Sequence, residues 1–328
     1  MKKLLAIGEA LIDFIPEQTN VGIKDVEGFS PIVGGAPANV CGAFVKLGGK
    51  AQMITQLGAD PFGDKILEEF EHNGIGREYV QQTDKANTAL AFVALQSDGN
   101  REFSFYRKPS ADMLLEPSQI CSEWFADAAI LHFCSVSLGD FPMKEAHRQA
   151  IHYAGKQGML ISFDPNLRRP LWNDDAALYE RVWEFIPESH ILKISDEELE
   201  FLTGTDQIEG ALKQLFIGNV EMIVYTKGAG GAECYTKRAR AKVEGRKVKA
   251  LDTTGAGDGF IGAFLYQLYV HNVKAGNMDE VSSQEMEVYL DFANRFSALS
   301  VQKKGAIASY PTMVEMEGNP GLLEKERG

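Results

Sequence analysis

The chain has 328 residues, 45% hydrophobic and 24% charged, enough to bury one large core or two smaller ones, and it carries a formal net charge of −13 at pH 7. That balance disfavours nucleic acid or an anionic membrane surface as a partner, since each needs a basic face and the sequence has no lysine-arginine cluster. Cys41, Cys121, Cys134 and Cys234 lie scattered without paired spacing, which points to buried reduced thiols of a cytoplasmic protein.

The N-terminal run "MKKLLAIGEALIDF" contains two lysines and an apolar stretch, but Glu9 and Asp13 interrupt it and no small-residue cleavage site follows. It reads as a first strand, and no stretch approaches the roughly 18 apolar residues of a membrane span. Along the chain "LLAIG", "AQMIT", "AILHF", "MLISFD", "HILKI" and "EMIVY" each neighbour an amphipathic segment. Such alternation predicts a mostly parallel sheet covered by helices. Residues 11 to 32, with Pro16, Gly22, Gly28 and Pro31, are extended. In "APANVCGAFVKLGG", Val40, Ala43, Phe44 and Leu47 share a helical face and Gly48 stops the helix, so the preceding "VGG" is a loop feeding it. Two β-type runs then flank "SDGN" within "TALAFVALQSDGNREFSFYR", a hairpin signal, and with residues 11 to 32 they predict a small antiparallel flap. "TKGAGGAECY" joins two more strand-like runs through Gly228, Gly230 and Gly231, either as a plain hairpin turn or as close backbone approach to a nucleotide. After Pro311 the tail looks loosely structured.

The segment "DTTGAGDGFIGAF" carries the chemistry. A helix starting near Asp258 would bury Phe260, Ile261, Phe264, Leu265 and Leu268, and the amides of Gly255, Ala256 and Gly257 would converge at its N-terminus, where the macrodipole favours an anion. A carboxylate beside an anion cradle is useful when a substrate hydroxyl must lose its proton while attacking phosphorus, which makes Asp258 a candidate base. The bland alternative is that Asp258 caps the helix and the glycines only turn the chain. Gly257, Gly259 and Gly262 match G-x-G-x-x-G, but two of them fall inside the helix and the match is chance; no P-loop motif is present. Polar groups suited to a sugar stand in loops elsewhere: Asp13 after the first strand, Gly34, Gly35 and Asn39 at a helix start, Arg107 at the flap's exit, and Arg168 past a strand end. A solvated surface charge for either arginine, and a cap for Asn39, are the ordinary alternatives.

In their order and spacing, "GGAPANVCGAFVKLGG" and "DTTGAGDGFIGAFL" resemble the two signatures of the ribokinase-like, PfkB-type sugar kinase family over nearly the full chain. "REFSFYRKPSADMLL", "SFDPNLRRPLW" and "KISDEELEFLTG" are most similar to its fructokinases. The resemblance implies a three-layer α/β sandwich forming a single kinase domain over residues 1–328, with a small β-sheet lid from segments 11–32 and 87–107. It implies Asp258 as base over an anion hole of Gly255, Ala256 and Gly257, and sugar contacts from Asp13, Gly34, Gly35 and Asn39. Arg107 and Arg168 would reach the sugar or the transferred phosphoryl group. Lys193, Glu198, Thr226, Gly228, Gly231, Gly257 and Asn294 fall on the nucleotide side, and Asp252, Thr254, Ser300, Gly305 and Ser309 match groups that hold a monovalent cation such as K+. ATP and Mg2+ are the implied cofactors, sugar and ATP the partners, and a homodimer the assembly to look for. The family's Asn-x-x-Glu motif is "SDEE" here, with Ser195 in place of the asparagine, which puts a magnesium role for Ser195 in doubt. The expected reaction is phosphorylation of D-fructose at its 6-hydroxymethyl by ATP. The rivals are a 2-keto-3-deoxygluconate kinase and, from another class, a catalytically idle sugar-binding regulator.

Overall fold

A computed structural model of the chain describes residues 2–18, 20–95, 101–172 and 174–318. Burial along β1 (Lys3–Ile7) shows how the layers arise. Leu4 and Ala6 belong to one apolar cluster and Leu5 and Ile7 to another, as the two-residue period of a strand buried on both faces requires. After it come β2 (Leu11–Pro16), β3 (Phe29–Gly34), α1 (Ala36–Lys46), β4 (Ala51–Gly58), α2 (Pro61–His72), β5 (Val80–Thr83), β6 (Ala89–Leu95) and β7 (Arg101–Tyr106). The middle of the chain forms β8 (Ala128–Cys134), α3 (Pro142–Lys156), β9 (Leu160–Asp164), α4 (Asp175–Phe185), β10 (Ile191–Ser195), α5 (Asp196–Thr203) and α6 (Ile208–Leu215). The remainder forms β11 (Met222–Thr226), β12 (Ala232–Tyr235), β13 (Arg240–Val243), α7 (Ala256–Val270), α8 (Ser283–Ser300) and α9 (Met313–Glu317).

Nine strands make the large sheet in the order β13-β12-β11-β10-β9-β8-β1-β4-β5, parallel except for the β11–β12–β13 edge. All six strand-like runs of the sequence lie in it. Helices α1, α2, α7 and α8 pack on one face through Phe44, Phe70, Phe264 and Phe296, and α3 to α6 on the other through Ala150, Val182, Leu202 and Leu215. This is the ribokinase-like three-layer arrangement. The small sheet has the order β3-β2-β6-β7, so the extended segment at 11 to 32 and the later hairpin do form one sheet, but it is mixed and not antiparallel throughout as expected: β2 and β6 at its centre run parallel because the chain crosses the large sheet between them. The turn "SDGN" itself, residues 97–100, lies outside the described residues. Phe14, Phe29 and Phe92 pack together on one side of this sheet, Phe14 and Phe92 stacked at 4.5 Å, while Leu11, Asp13, Val93 and Phe105 face the large sheet's cavity.

Three further expectations, about a helix start, the tail and the thiols, need correction. Helix α7 begins at Ala256, two residues earlier than the sequence suggests, because Gly255 takes the left-handed conformation (φ +72°) that turns the loop into the helix. The tail after Pro311 is not wholly irregular: Thr312 and Glu315 cap each other's amides and start α9, while residues 319–328 lie outside the described residues. Cys41, Cys134 and Cys234 are buried as expected, but Cys121 is exposed; all four are free. Among the described residues no helix is long and apolar enough to cross a membrane.

Candidate functional site

A cavity of about 650 Å³ opens where the parallel strands end, between those C-terminal ends and the inner face of the small sheet. Parallel sheets place their ligand crevices here because the strand ends release loops and the following helices present their N-termini. Asp13, Val93 and Phe105 line the cavity from the small sheet, and Asn39, Asn166, Arg168, Lys193 and Gly255 to Asp258 from below. Residues 250 to 254 and Lys304 extend it to one side.

Asp258 is the third residue of α7, 9% exposed, and not its cap: the cap position is Gly255, and no side chain caps the helix. The carboxylate accepts from Asn39 Nδ2 at 2.8 Å and from Asn166 Nδ2 at 3.5 Å, so two amides from other elements fix its direction. Burial raises its pKa, and the Asn39 bond and the charges of Arg168 and Lys193 pull part of that rise back. In the cradle beside it the Ala256 amide already donates to Thr253 O at 3.2 Å. Among the described residues the Gly255 and Gly257 amides have no backbone acceptor, as the first turn of a helix leaves them. Two of the three cradle amides therefore lack a backbone partner among the described residues.

A second buried group of charges supports this one from the strand ends. Lys193 Nζ lies 2.9 Å from Asp164 Oδ2, and both side chains are almost fully buried. Burial alone would lower the Lys193 pKa, but Asp164 and Glu198 more than reverse it, so the ammonium stays charged. Burial drives Asp164 up to about 7 against the opposing Lys193 charge. The Lys193 nitrogen sits 3.6 Å from where a Cβ on Gly257 would be, which brings a fixed positive charge to the cradle. Glu198 gives one oxygen to the Ser195 amide (2.9 Å) and the other to the Leu167 amide (2.8 Å), closing a capping box at α5 and tying it to the loop after β9.

The expected sugar residues divide. Asp13, Gly35 and Asn39 line the cavity, and Gly34 packs under the Asp13 carboxylate. Gly35 holds φ +109° with a Cβ position only 2.5 Å from Glu9 O, so no other residue fits that approach. Arg168 is exposed and lines the cavity. Arg107 is neither a solvated charge nor a cavity-lining group. It is 7% exposed, paired with Asp112, and donates to Val136 O at 3.0 Å and Ser137 Oγ at 3.2 Å. On the nucleotide side, Thr226, Gly228 and Gly231 belong to the β11–β12 hairpin, with Gly231 against the Val243 carbonyl, and Asn294 is buried on α8 with Nδ2 unpartnered among the described residues. None of these four lines the cavity. Of the expected cation residues, three meet in the hydrogen bonds: Asp252 accepts from Thr254 Oγ1 (2.6 Å) and the Gly305 amide (3.0 Å), whereas the hydroxyls of Ser300 and Ser309, both 1% exposed, donate to Ser297 O and Ala306 O within their own segments. Sequence reasoning passed over Glu9, Asp164 and Asn166. The signal for the last two was "FDPN", a carboxylate at a strand's final residue followed by an asparagine that here adopts φ +44°.

Comparison with known proteins agrees with this geometry. The model of the pfkB family carbohydrate kinase matches residues 1–313. A probable fructokinase-4 of Arabidopsis thaliana is 41% identical over 316 residues, covering 96% of this chain and 95% of its own. A fructokinase of Xylella fastidiosa, solved with bound ATP, superposes with a TM-score of 0.90 at 33% identity and covers 98% of this chain and 99% of its own. A fructokinase of Vibrio cholerae O395, solved with fructose, ADP and a calcium ion, superposes at 0.86 with 32% identity, covering 97% and 98%.

Proposed function

The chain belongs to the pfkB family of carbohydrate kinases, and on that premise we propose that it transfers the γ-phosphoryl group of ATP to the 6-hydroxymethyl of D-fructose. One observation carries the assignment of roles: a buried carboxylate, Asp258, held by two asparagines one turn into a helix whose first amides are open to an anion. Asp258 takes the proton from the attacking hydroxyl. The Gly255 and Gly257 amides and the Lys193 ammonium meet the charge that the transferred phosphoryl group spreads over its oxygens. Because these donors are fixed before substrate arrives, they need no reorganisation during the reaction.

Asp13, Asn39 and the backbone at Gly34 and Gly35 hold the sugar, and Arg168 reaches the sugar or the phosphoryl group. Fructose is favoured over a keto acid by the fructokinase relatives, and only Arg168 of the two candidate arginines lines the wall, not the two arginines expected of a keto-acid kinase. ATP lies toward residues 250 to 254 and Lys304, with Thr226, Gly228, Gly231 and Asn294 beyond. Magnesium, when bound, offsets the phosphate charge. Glu198 spends both oxygens on amides, so the residues fit an ion held chiefly by phosphate and water rather than by a protein cage. Asp252, Thr254, Ser300, Gly305 and Ser309 fit a monovalent cation behind the cradle, where it would stiffen the loop. Segments 11–32 and 87–107 act as a lid on a single kinase unit. The free thiols suit a reducing cytoplasm.

A panel of sugars in a coupled ADP-release measurement tests the substrate. Fructose is expected to exceed 2-keto-3-deoxygluconate by at least about tenfold in kcat/KM. The reverse order overturns the fructose assignment, and no ADP release with any sugar overturns the kinase.

A further inference from the structure

Four segments of chain run between the large sheet and the small one: residues 8–10 into β2, Gly35 out of β3, residues 84–88 into β6, and residues 107–111 out of β7. They meet in one buried polar network. Glu9, 2% exposed, accepts from the Ala36 amide at 3.3 Å and from Ser137 Oγ at 2.9 Å. Ser137 accepts from Arg107, which also pairs with Asp112 and donates to Val136 O. Between Arg107 and Asp112, the Ala111 amide donates to Asn87 O at 2.8 Å and the Ala111 carbonyl accepts from Gln56 Nε2 at 2.9 Å. Every crossing thus contributes a group, and the chain of contacts ends at Ser137 and Gln56 of the large sheet's own side.

We propose that Arg107 is a positioning residue that, with Asp112, Ser137 and Glu9, fixes how the small sheet is set over the cavity, rather than a hand that grips the sugar. A guanidinium suits the task because its planar fork serves three acceptors at once, Asp112, Val136 O and Ser137 Oγ. Its acceptors come from its own loop and from the turn after β8, so the exit of β7 cannot shift without breaking at least one bond in a site closed to water. Glu9 completes the device from the cavity side. Burial raises its pKa while Arg107 opposes the rise, so the two ends of the network sense each other's charge. The inference rests on the kinase reading only for the sugar measurement; the lid measurement below needs no substrate.

The test is a double-mutant cycle with Arg107→Met, Asp112→Leu and the pair together. Removing Arg107 alone leaves Asp112 buried and uncompensated, which removing both avoids, while Glu9 loses its nearby positive charge in either case. Arg107→Met is expected to raise the fructose KM at least about tenfold and to speed exchange of the backbone amides of residues 89–94 and 104–106 in the sugar-free protein by a similar factor. The double variant should recover only the part of both losses that comes from the uncompensated Asp112, because Val136 O, Ser137 Oγ and Glu9 still lack the guanidinium. If it stays as poor as Arg107→Met toward fructose while those amides exchange at the wild-type rate in every variant, Arg107 touches the sugar and the proposal fails. Should either single variant not fold, Ser137→Ala carries the test, since it cuts only the Arg107 to Glu9 link. Faster exchange of the same amides supports the positioning role, and unchanged exchange overturns it.

Discussion

On the floor of the cavity, Lys193, Asn166 and Asp258 are buried, with Asp164 buried beneath against Lys193, and each is held by a named partner on another loop or strand. Opposite them the small sheet presents Leu11, Ile15, Val93 and Phe105, with the Asp13 carboxylate among them. The floor rests on nine strands with helices packed on both faces. The small sheet has four strands and an aromatic outer side. The difference separates two tasks. Charges that must be aimed before reaction belong on the part that does not move, where low dielectric strengthens them. A cover proposed to close does better with apolar surface, which seals out water and meets substrate hydroxyls through few contacts. Substitutions on the floor should therefore strike kcat, and those in the small sheet the sugar KM.

The largest effect tests the floor. Asp258→Asn keeps the shape and one Asn39 contact but removes the proposed base, and kcat is expected to fall at least about 100-fold while the KM for ATP changes less than about threefold. A variant that retains a tenth of the wild-type kcat would assign Asp258 to structure alone. Asp13→Asn is the matching change on the cover. Loss of a charged acceptor for sugar hydroxyls is expected to raise the fructose KM by about 10- to 100-fold, with kcat altered less. Equal losses in kcat and kcat/KM would show that Asp13 works only in the transition state and that the division between floor and cover is false.

How far these two regions could be read from the sequence differs as well. Strands of the large sheet are legible because burial on both faces writes them as short unbroken apolar runs, and glycines directly before a carboxylate and an apolar helix mark the Asp258 loop. Asp164 and Asn166 were not singled out, because a polar pair at a strand end looks the same whether it faces solvent or a buried lysine on the next strand. Lys193 is that partner, and it is brought across by the parallel register of β9 and β10. The burial of Arg107 is hidden for a related reason. Within "FYRKPSAD" nothing indicates burial, since Asp112 pairs with it only when the loop folds back and Ser137 arrives from thirty residues away. The pairing of the Ala256 amide with Thr253 is likewise not legible in the sequence, because the turn that makes it depends on the left-handed Gly255.

A smaller effect concerns motion of the cover. If the small sheet closes over the sugar, saturating fructose should slow hydrogen exchange at the amides of residues 89–94 and 104–106 by several-fold, about 1 kcal/mol, and leave β9 and β10 unaffected. Equal exchange with and without sugar would make the small sheet a fixed wall.

The smallest expected effect joins the regions through Asp258's charge. A general base acts when ionised, so kcat/KM falls as pH drops through its pKa in the free enzyme. Burial sets that pKa above the ordinary aspartate value, and Arg168 is among the groups that hold it down. Arg168→Met removes a positive charge that favours the carboxylate, so the acidic limb of the pH profile should move to higher pH. Arg168→Lys keeps the charge and should leave the limb nearer its wild-type position, even where the lost fork weakens binding of the phosphoryl group or sugar. The shift should be modest because Arg168 is exposed, so solvent and salt screen it, and because Lys193 and Asn39 remain in place. It should shrink further as ionic strength rises, whereas a shift caused by altered packing would not. A limb that moves equally in Met and Lys variants, or that ignores salt, would mean that Arg168 acts on Asp258 through shape, leaving Lys193 as the charge that sets the base.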